Sequence, residues 1–346
     1  MRLLALGAFL VGTLSTTVVG QRYNILKTFP GQAVLPKLIQ AEIAFEGKYQ
    51  LLNTTKGGTG TLNAKNIQGD ILVGMKKQKE LFVFFAINKP DSFKNKLKTS
   101  LLPYITTTAQ LLNPLYNPPA MVNVAFTQSG LTKLGVQGNI GDQPFQGGQF
   151  IDLKALGDPS SNDWIPAFKG TRVHGVFLIA SDVWANVNTQ KATIDTILST
   201  DYTVLYTLQG EARPGAEAGH EHFGYLDGVA QPAIIQFTTN PVPGQTFINA
   251  GSIILGQTGD TIPRPSWAID GSFLAFRQLQ QKVPEWNKFL LDNRIVDPSL
   301  TAQEGADLLG ARAMGRWKSG APIDLAPFER DPQARGRPRP QQQLRL

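Results

Sequence analysis

Between residues 81 and 208 the order of apolar runs and helical spacings leaves few folds open to this chain. "LFVFFAI" (81–87) is a continuous apolar run of strand length. Pro90-Asp91-Ser92 then opens a helical stretch, with Asp91 or Ser92 as N-cap and Phe93, Leu97 and Leu101 recurring every four residues. "MVNVAFT" (121–127) reads as the next strand, and a glycine-rich connection leads to another, "VHGVFLIA" (173–180). Ser181 or Asp182 is placed to cap a helix with Val183, Val187, Ile194 and Leu198 on one face. "YTVLYTL" (202–208) closes the set. Strand, helix, strand, strand, helix, strand is the split βαβ, ferredoxin-like order. It predicts an α+β fold, an antiparallel sheet with two helices on one face.

The pattern then restarts and stops. "SFLAFRQL" (272–279) reads as a strand, Pro284-Glu285 opens a helix through Trp286, Phe289 and Leu290, and Ser299 is placed to cap another through about Leu309. Residues 329–346 are rich in Arg, Pro and Gln and have no periodic apolar face. The expected organisation is a first ferredoxin-like unit over 66–230, a connection and incomplete second unit over 231–327, and a disordered tail over 328–346.

Upstream, Arg2 precedes an apolar run from Leu3 to Leu14, and Val18 and Gly20 are small enough for cleavage after Gly20. Residues 1–20 are therefore expected to be a signal peptide and the protein to be secreted. Residues 21–65 read as a pro-segment or linker, with "NTTKGGTGTLNAKN" (53–66) poor in apolar anchors and containing the sequon Asn53-Thr54-Thr55. No later stretch reaches the roughly 18 apolar residues of a membrane span.

The chain has no cysteine, which excludes disulfides, thiolate metal ligands and a cysteine nucleophile. The net charge is +7, but five arginines crowd into residues 329–346, and no basic stripe interleaves with aromatics elsewhere. Specific nucleic-acid binding is not indicated. "KGGTG" (56–60) lacks the spacing of a phosphate loop, Gly135, Gly138 and Gly141 do not follow a strand as a dinucleotide fingerprint requires, and no serine sits in G-x-S-x-G.

The stretch that carries chemistry is "GHEHFGYLDGVAQPA" (219–233). Asp227 lies between Gly224 and Gly228 in a G-x-x-D-G spacing, where glycines turn the chain sharply and let backbone approach a ligand. A carboxylate held on such a turn can act as an acid or base. The competing reading is an Asx-turn, the side chain serving its own backbone. His220 and His222, two apart, would form at most the edge of a metal site, and no third ligand or HExxH pattern accompanies them. His174, alone in a strand, reads as a packed residue. Tyr225, Trp267, Trp286 and Trp317 could relay electrons but are core residues first.

Around this motif the chain resembles the dye-decolorizing peroxidases of fungi. The likeness extends to "NIQGDILVGMKKQKELFVFFAIN" (66–88), "DGSFLAFRQLQQKVPEW" (270–286) and "GRWKSGAPIDLAP" (315–327). It runs from about residue 60 to Pro327. The resemblance implies two ferredoxin-like units of the dimeric α+β barrel type, haem b as cofactor, and hydrogen peroxide used to oxidise dyes, phenols and other bulky aromatics. It implies the distal acid–base role for Asp227, with Gly228, Val229 and Gln231 near the haem edge. The family's proximal histidine and distal arginine fall beyond the matching segments, so no axial ligand is assigned. A truncated, catalytically incompetent product is the alternative expectation.

Overall fold

A computed structural model describes residues 62–327, apart from 159, 229–230 and 242–244, together with 330–331. The expected signal peptide, the 21–61 part of the linker with its sequon, Val229 and the tail beyond 331 lie outside the described residues. Two compact units divide the chain, one of 1–212, 234–239 and 248–276, the other of 213–233, 240–247 and 277–346.

The first unit is built on a four-stranded antiparallel sheet of β1 (Lys79–Ile87), β2 (Met121–Phe126), β3 (Gly175–Ser181) and β4 (Tyr202–Glu211), in the order β2-β3-β1-β4. This is the ferredoxin-like order that the strand and helix pattern predicts. Alternation along β1 decides its two faces. Leu81, Val83, Phe85 and Ile87 point to one side, where Phe177, Ile179 and Val122 join them. Helix α1 (Pro90–Lys96) and helix α2 (Trp184–Leu198) cover that side through Phe93, Val187, Ile194 and Leu198. Phe85 stacks on Phe177 at 4.9 Å between centroids, and both are fully buried. Each such side chain is worth about 1.5–3 kcal/mol of apolar burial. Phe82 and Phe84 face the other way and pack with Phe168, Tyr206, Leu274 and Phe276.

Several local expectations are corrected. Residues 272–279 are not a strand: among the described residues they join neither sheet. They keep strand-like alternation, with Phe273 and Ala275 buried to one side while Leu274 and Phe276 pack on the sheet. Neither Ser181 nor Asp182 caps α2. The Ser181 hydroxyl donates to the Pro119 carbonyl and Asp182 pairs with Lys77, so the helix starts behind Val183 with no side-chain cap. Helix α1 begins at Pro90 behind Lys89, and Ser92 donates to Asp201 instead of capping. The α register stops at Lys96, and the chain continues through a π turn (Leu97–Leu101). Pro103 lacks the amide that further α-helix would need.

The second unit carries helix α3 (Val283–Asp292) and helix α4 (Ala302–Met314). Thr301, not Ser299, caps α4 in a reciprocal box with Glu304, because Ser299 is spent on Asp297. Leu308, Ala311 and the fully buried Trp317 form its core. The 219–228 loop, expected to close the first unit, belongs to this second one.

Candidate functional site

The 219–228 loop is irregular backbone in which every amide from Phe223 to Gly228 has a partner. Phe223 and Tyr225 amides donate to the two Glu221 carboxylate oxygens, each at 2.8 Å, and the Gly224 amide donates to the Glu221 carbonyl at 2.9 Å. The Leu226 amide reaches the Lys318 carbonyl (3.0 Å) and the Asp227 amide the Gly219 carbonyl (2.9 Å). Gly224 (φ +94°) and Gly228 (φ +66°) sit in the left-handed region that other residues enter at a cost, which is why the motif needs glycine there.

Side chains seat the loop on α3 and α4. Tyr225 is buried, and its hydroxyl lies so close to Gly310 of α4 that a Cβ there would sit 2.1 Å away. Phe223 packs on Trp286 of α3 at 5.5 Å. The Tyr225 hydroxyl and the Trp286 indole nitrogen are buried without completing a hydrogen bond. Burial pushes the Tyr225 hydroxyl up to about 12, against the opposing pull of the nearby Trp286 indole.

Asp227 is half-buried at the end of this turn. Its Oδ1 accepts the Gly228 amide at 2.6 Å. The Asx-like contact is therefore present, yet it engages one oxygen and leaves the other without a protein partner among the described residues. Burial holds the carboxyl above the usual carboxylate range, with the Gly228 amide opposing and the charge of Glu221 adding to the rise. Such a group holds a proton more readily than a surface aspartate, which suits acid–base exchange in mildly acid solution. Gly228 is exposed with open space where a Cβ would stand. The Gln231 carbonyl accepts from Gln245 Nε2 at 2.6 Å.

The three histidines are not brought together on one ligand. His220 Nδ1 lies 3.2 Å from the Ala218 carbonyl, and His222 is exposed. His174, in the other unit, uses Nδ1 to accept the Ile87 amide at 2.8 Å, and burial followed by the charge of Lys133 lowers its affinity for a proton. Among the described residues no group of three or more His, Asp or Glu is arranged to hold a metal ion. Trp317, a candidate relay residue, is core: its indole donates to the Ala326 carbonyl at 2.9 Å.

Comparison with known proteins decides the family. The DyP dimeric alpha+beta barrel domain matches residues 66–214. A dye-decolorizing peroxidase of Mycena epipterygia is 53% identical over 273 residues, 78% of this chain and 52% of that protein. The dye-decolorizing peroxidase AauDyP1 of Auricularia auricula-judae is 48% identical over 313 residues, 87% of this chain and 61% of that one. The crystal structure of AauDyP complexed with imidazole superposes with a TM-score of 0.76 at 51% identity, over 79% of this chain and 60% of that one. This chain belongs with the fungal dye-decolorizing peroxidases. It spans between half and about three fifths of the length of those curated relatives. A further solved dye-decolorizing peroxidase, described as engineered in its heme pocket for asymmetric sulfoxidation, matches with a TM-score of 0.76 at 52% identity. Among the described residues no helix of the chain is long and apolar enough to cross a membrane.

Two features went unseen in the sequence. Glu221, between the two histidines, is the residue around which the loop hydrogen-bonds. In the first unit, a cavity of about 400 Å³ is lined by Asp70, Asn123, Leu131, Phe145, Leu255 and Phe273 among others. Asp70 accepts the Met75 amide, and burial pushes its carboxyl up to about 6. Burial, and after it the charge of Asp70, raises Glu80 well above its usual value. Both acids lie in the 66–88 segment that resembles the family, but their burial and their closeness to one another appear only in the folded unit.

Proposed function

We propose that this protein works as a haem-dependent peroxidase that uses hydrogen peroxide to oxidise dyes, phenols and other bulky aromatics. The observation that carries the reading is Asp227: a carboxyl on a fully bonded turn, raised by burial, with one oxygen uncommitted to protein among the described residues. In this reading Oδ2 takes the proton from the near oxygen of peroxide and returns it to the leaving oxygen. Gly228 and Gln231 would lie beside the haem edge, and the open space at Gly228 would admit a flat ligand close to backbone. Haem, when bound, supplies the iron at which peroxide is split. The residues present fit the distal side of such a group. A neighbouring cation is also needed to stabilise developing charge, and among the described residues none pairs with Asp227. The apolar segment at residues 3–14 supports a secreted enzyme.

The test is Asp227→Asn in the haem-loaded protein. Peroxide-dependent dye oxidation should fall by about 10²–10⁴-fold, the usual worth of a general acid–base, with haem content unchanged. An unaltered rate of reaction with peroxide removes Asp227 from the role.

A further inference from the structure

Asp227 is the acid exposed to chemistry, but the turn that presents it is hydrogen-bonded around a second acid six residues earlier. Glu221 makes six hydrogen bonds to five residues. Its Oε1 accepts the Tyr225 amide (2.8 Å), and its Oε2 accepts the Phe223 amide (2.8 Å) and Gln281 Nε2 (2.7 Å). Its carbonyl accepts the Gly224 amide (2.9 Å) and Arg213 Nη1 (2.7 Å), and its own amide donates to the Tyr225 carbonyl (3.0 Å). Of the six amides from Phe223 to Gly228, three therefore end on this one residue, and a fourth, at Gly228, ends on Asp227 itself. The remaining two anchor the turn to the Gly219 and Lys318 carbonyls. Gln281 precedes α3 and Arg213 precedes the loop, so Glu221 also ties together two distant segments of the second unit.

We propose that Glu221 is a positioning residue for Asp227: its carboxylate templates the 221–228 turn and, as the neighbouring charge, sets the electrostatic surroundings of the Asp227 carboxyl. The proposal rests on the reading of Asp227 as the acid–base. Its physical basis is the two-oxygen acceptor set. Two backbone amides and one side-chain amide converge on it, and bonds to a charged acceptor are stronger than neutral ones. A glutamine cannot substitute. It keeps one acceptor and turns an NH₂ group toward donors, leaving an amide at Phe223 or Tyr225, or the Gln281 side chain, without an acceptor. The charge of Glu221 is also one cause of the raised Asp227 carboxyl, after burial.

The experiment uses the 346-residue chain and needs no turnover. Amide exchange is followed at residues 223–227, and the Asp227 carboxyl is titrated by carbon NMR, in wild type, Glu221→Gln and the control Glu217→Gln. Glu217 forms an exposed ion pair with Arg213 at 2.9 Å and takes no part in the turn. Glu221→Gln is expected to speed exchange at Phe223 and Tyr225 by about 10²-fold and to move the Asp227 midpoint down, toward that of a free aspartate. Glu217→Gln is expected to do neither. Should Glu221→Gln unfold the second unit, Gln281→Ala, which removes one partner of the carboxylate and keeps its charge, is expected to speed exchange at Phe223 and Tyr225 by a smaller factor. Unchanged exchange at 223 and 225 in whichever of the two variants folds, or an unmoved Asp227 midpoint in Glu221→Gln, overturns the proposal. A loosened turn and shifted midpoint beside an Asp227→Asn enzyme of normal peroxide reactivity would instead sink the acid–base reading and leave the templating role standing.

Discussion

Gly310→Ala tests how the loop is held on its helices, and its cost can be worked from the structure. The new Cβ would fall 2.1 Å from the Tyr225 hydroxyl, 3.0 Å from Leu290 Cδ1 and 3.5 Å from Tyr225 Cζ. The leucine methyl can rotate away. The hydroxyl cannot, because it moves only with a buried ring, which would have to retreat by roughly 1 Å in a close-packed interior. Overpacking of this kind costs about 1–3 kcal/mol, while alanine returns about 1 kcal/mol of helix propensity inside α4. The net expectation is a loss of up to about 2 kcal/mol, with the strain delivered to Tyr225, two residues from Asp227. Tyr225→Phe separates the causes. The hydroxyl is buried and unbonded, and such a group costs about 1–3 kcal/mol, so its removal alone should be neutral or stabilising. With both changes the nearest ring atom stands at ordinary contact, and the loss from Gly310→Ala should largely vanish. Urea unfolding, with exchange on the 215–228 and 302–314 peptides to localise the effect, gives the double-mutant cycle. A coupling of about 1–2 kcal/mol is expected. Additive single-mutant effects would refute the seating of Tyr225 against Gly310.

One further outcome is expected. Asp70→Asn should stabilise the first unit at neutral pH. A carboxyl raised to about 6 by burial is stabilising when protonated, and its contribution is lost as pH rises through that value. The asparagine oxygen can still accept the Met75 amide. Unfolding curves of the two proteins should therefore agree near pH 4, draw apart between about pH 4 and 6 and stay apart above, and equal stability at pH 8 would contradict the burial of that charge.

The first unit was legible because its strands are apolar runs separated by helical spacings, and the topological rules leave one order for them. What the pattern could not supply was competition for partners. Ser181 and Asp182 are good caps by residue type, but a carbonyl at Pro119 and the ammonium of Lys77 claim them first. Residues 272–279 have every local property of a strand, yet a strand exists only where another backbone lies alongside. Their alternation is real and is used for side-chain packing on both sides.

The loop divides along the same line. Asp227 could be picked out because the glycines beside it are a local signature: two left-handed positions bracket the acid, and their φ values need no distant contact. Glu221 carries no such mark. In sequence it is a charge between two histidines, and the histidines draw attention as metal-ligand types although one faces a carbonyl and the other faces solvent. Its role depends on Gln281, sixty residues away, and on amides that converge only once the turn has formed. An acid that meets a reactant must leave lone pairs uncommitted, whereas an acid that builds a turn must commit them. The two carboxylates of this loop show that division: Glu221 has both oxygens bonded, and Asp227 has one bonded to its own turn and the other uncommitted among the described residues. On that count, before any activity is measured, Asp227 is the residue of the pair to expect in contact with a reactant.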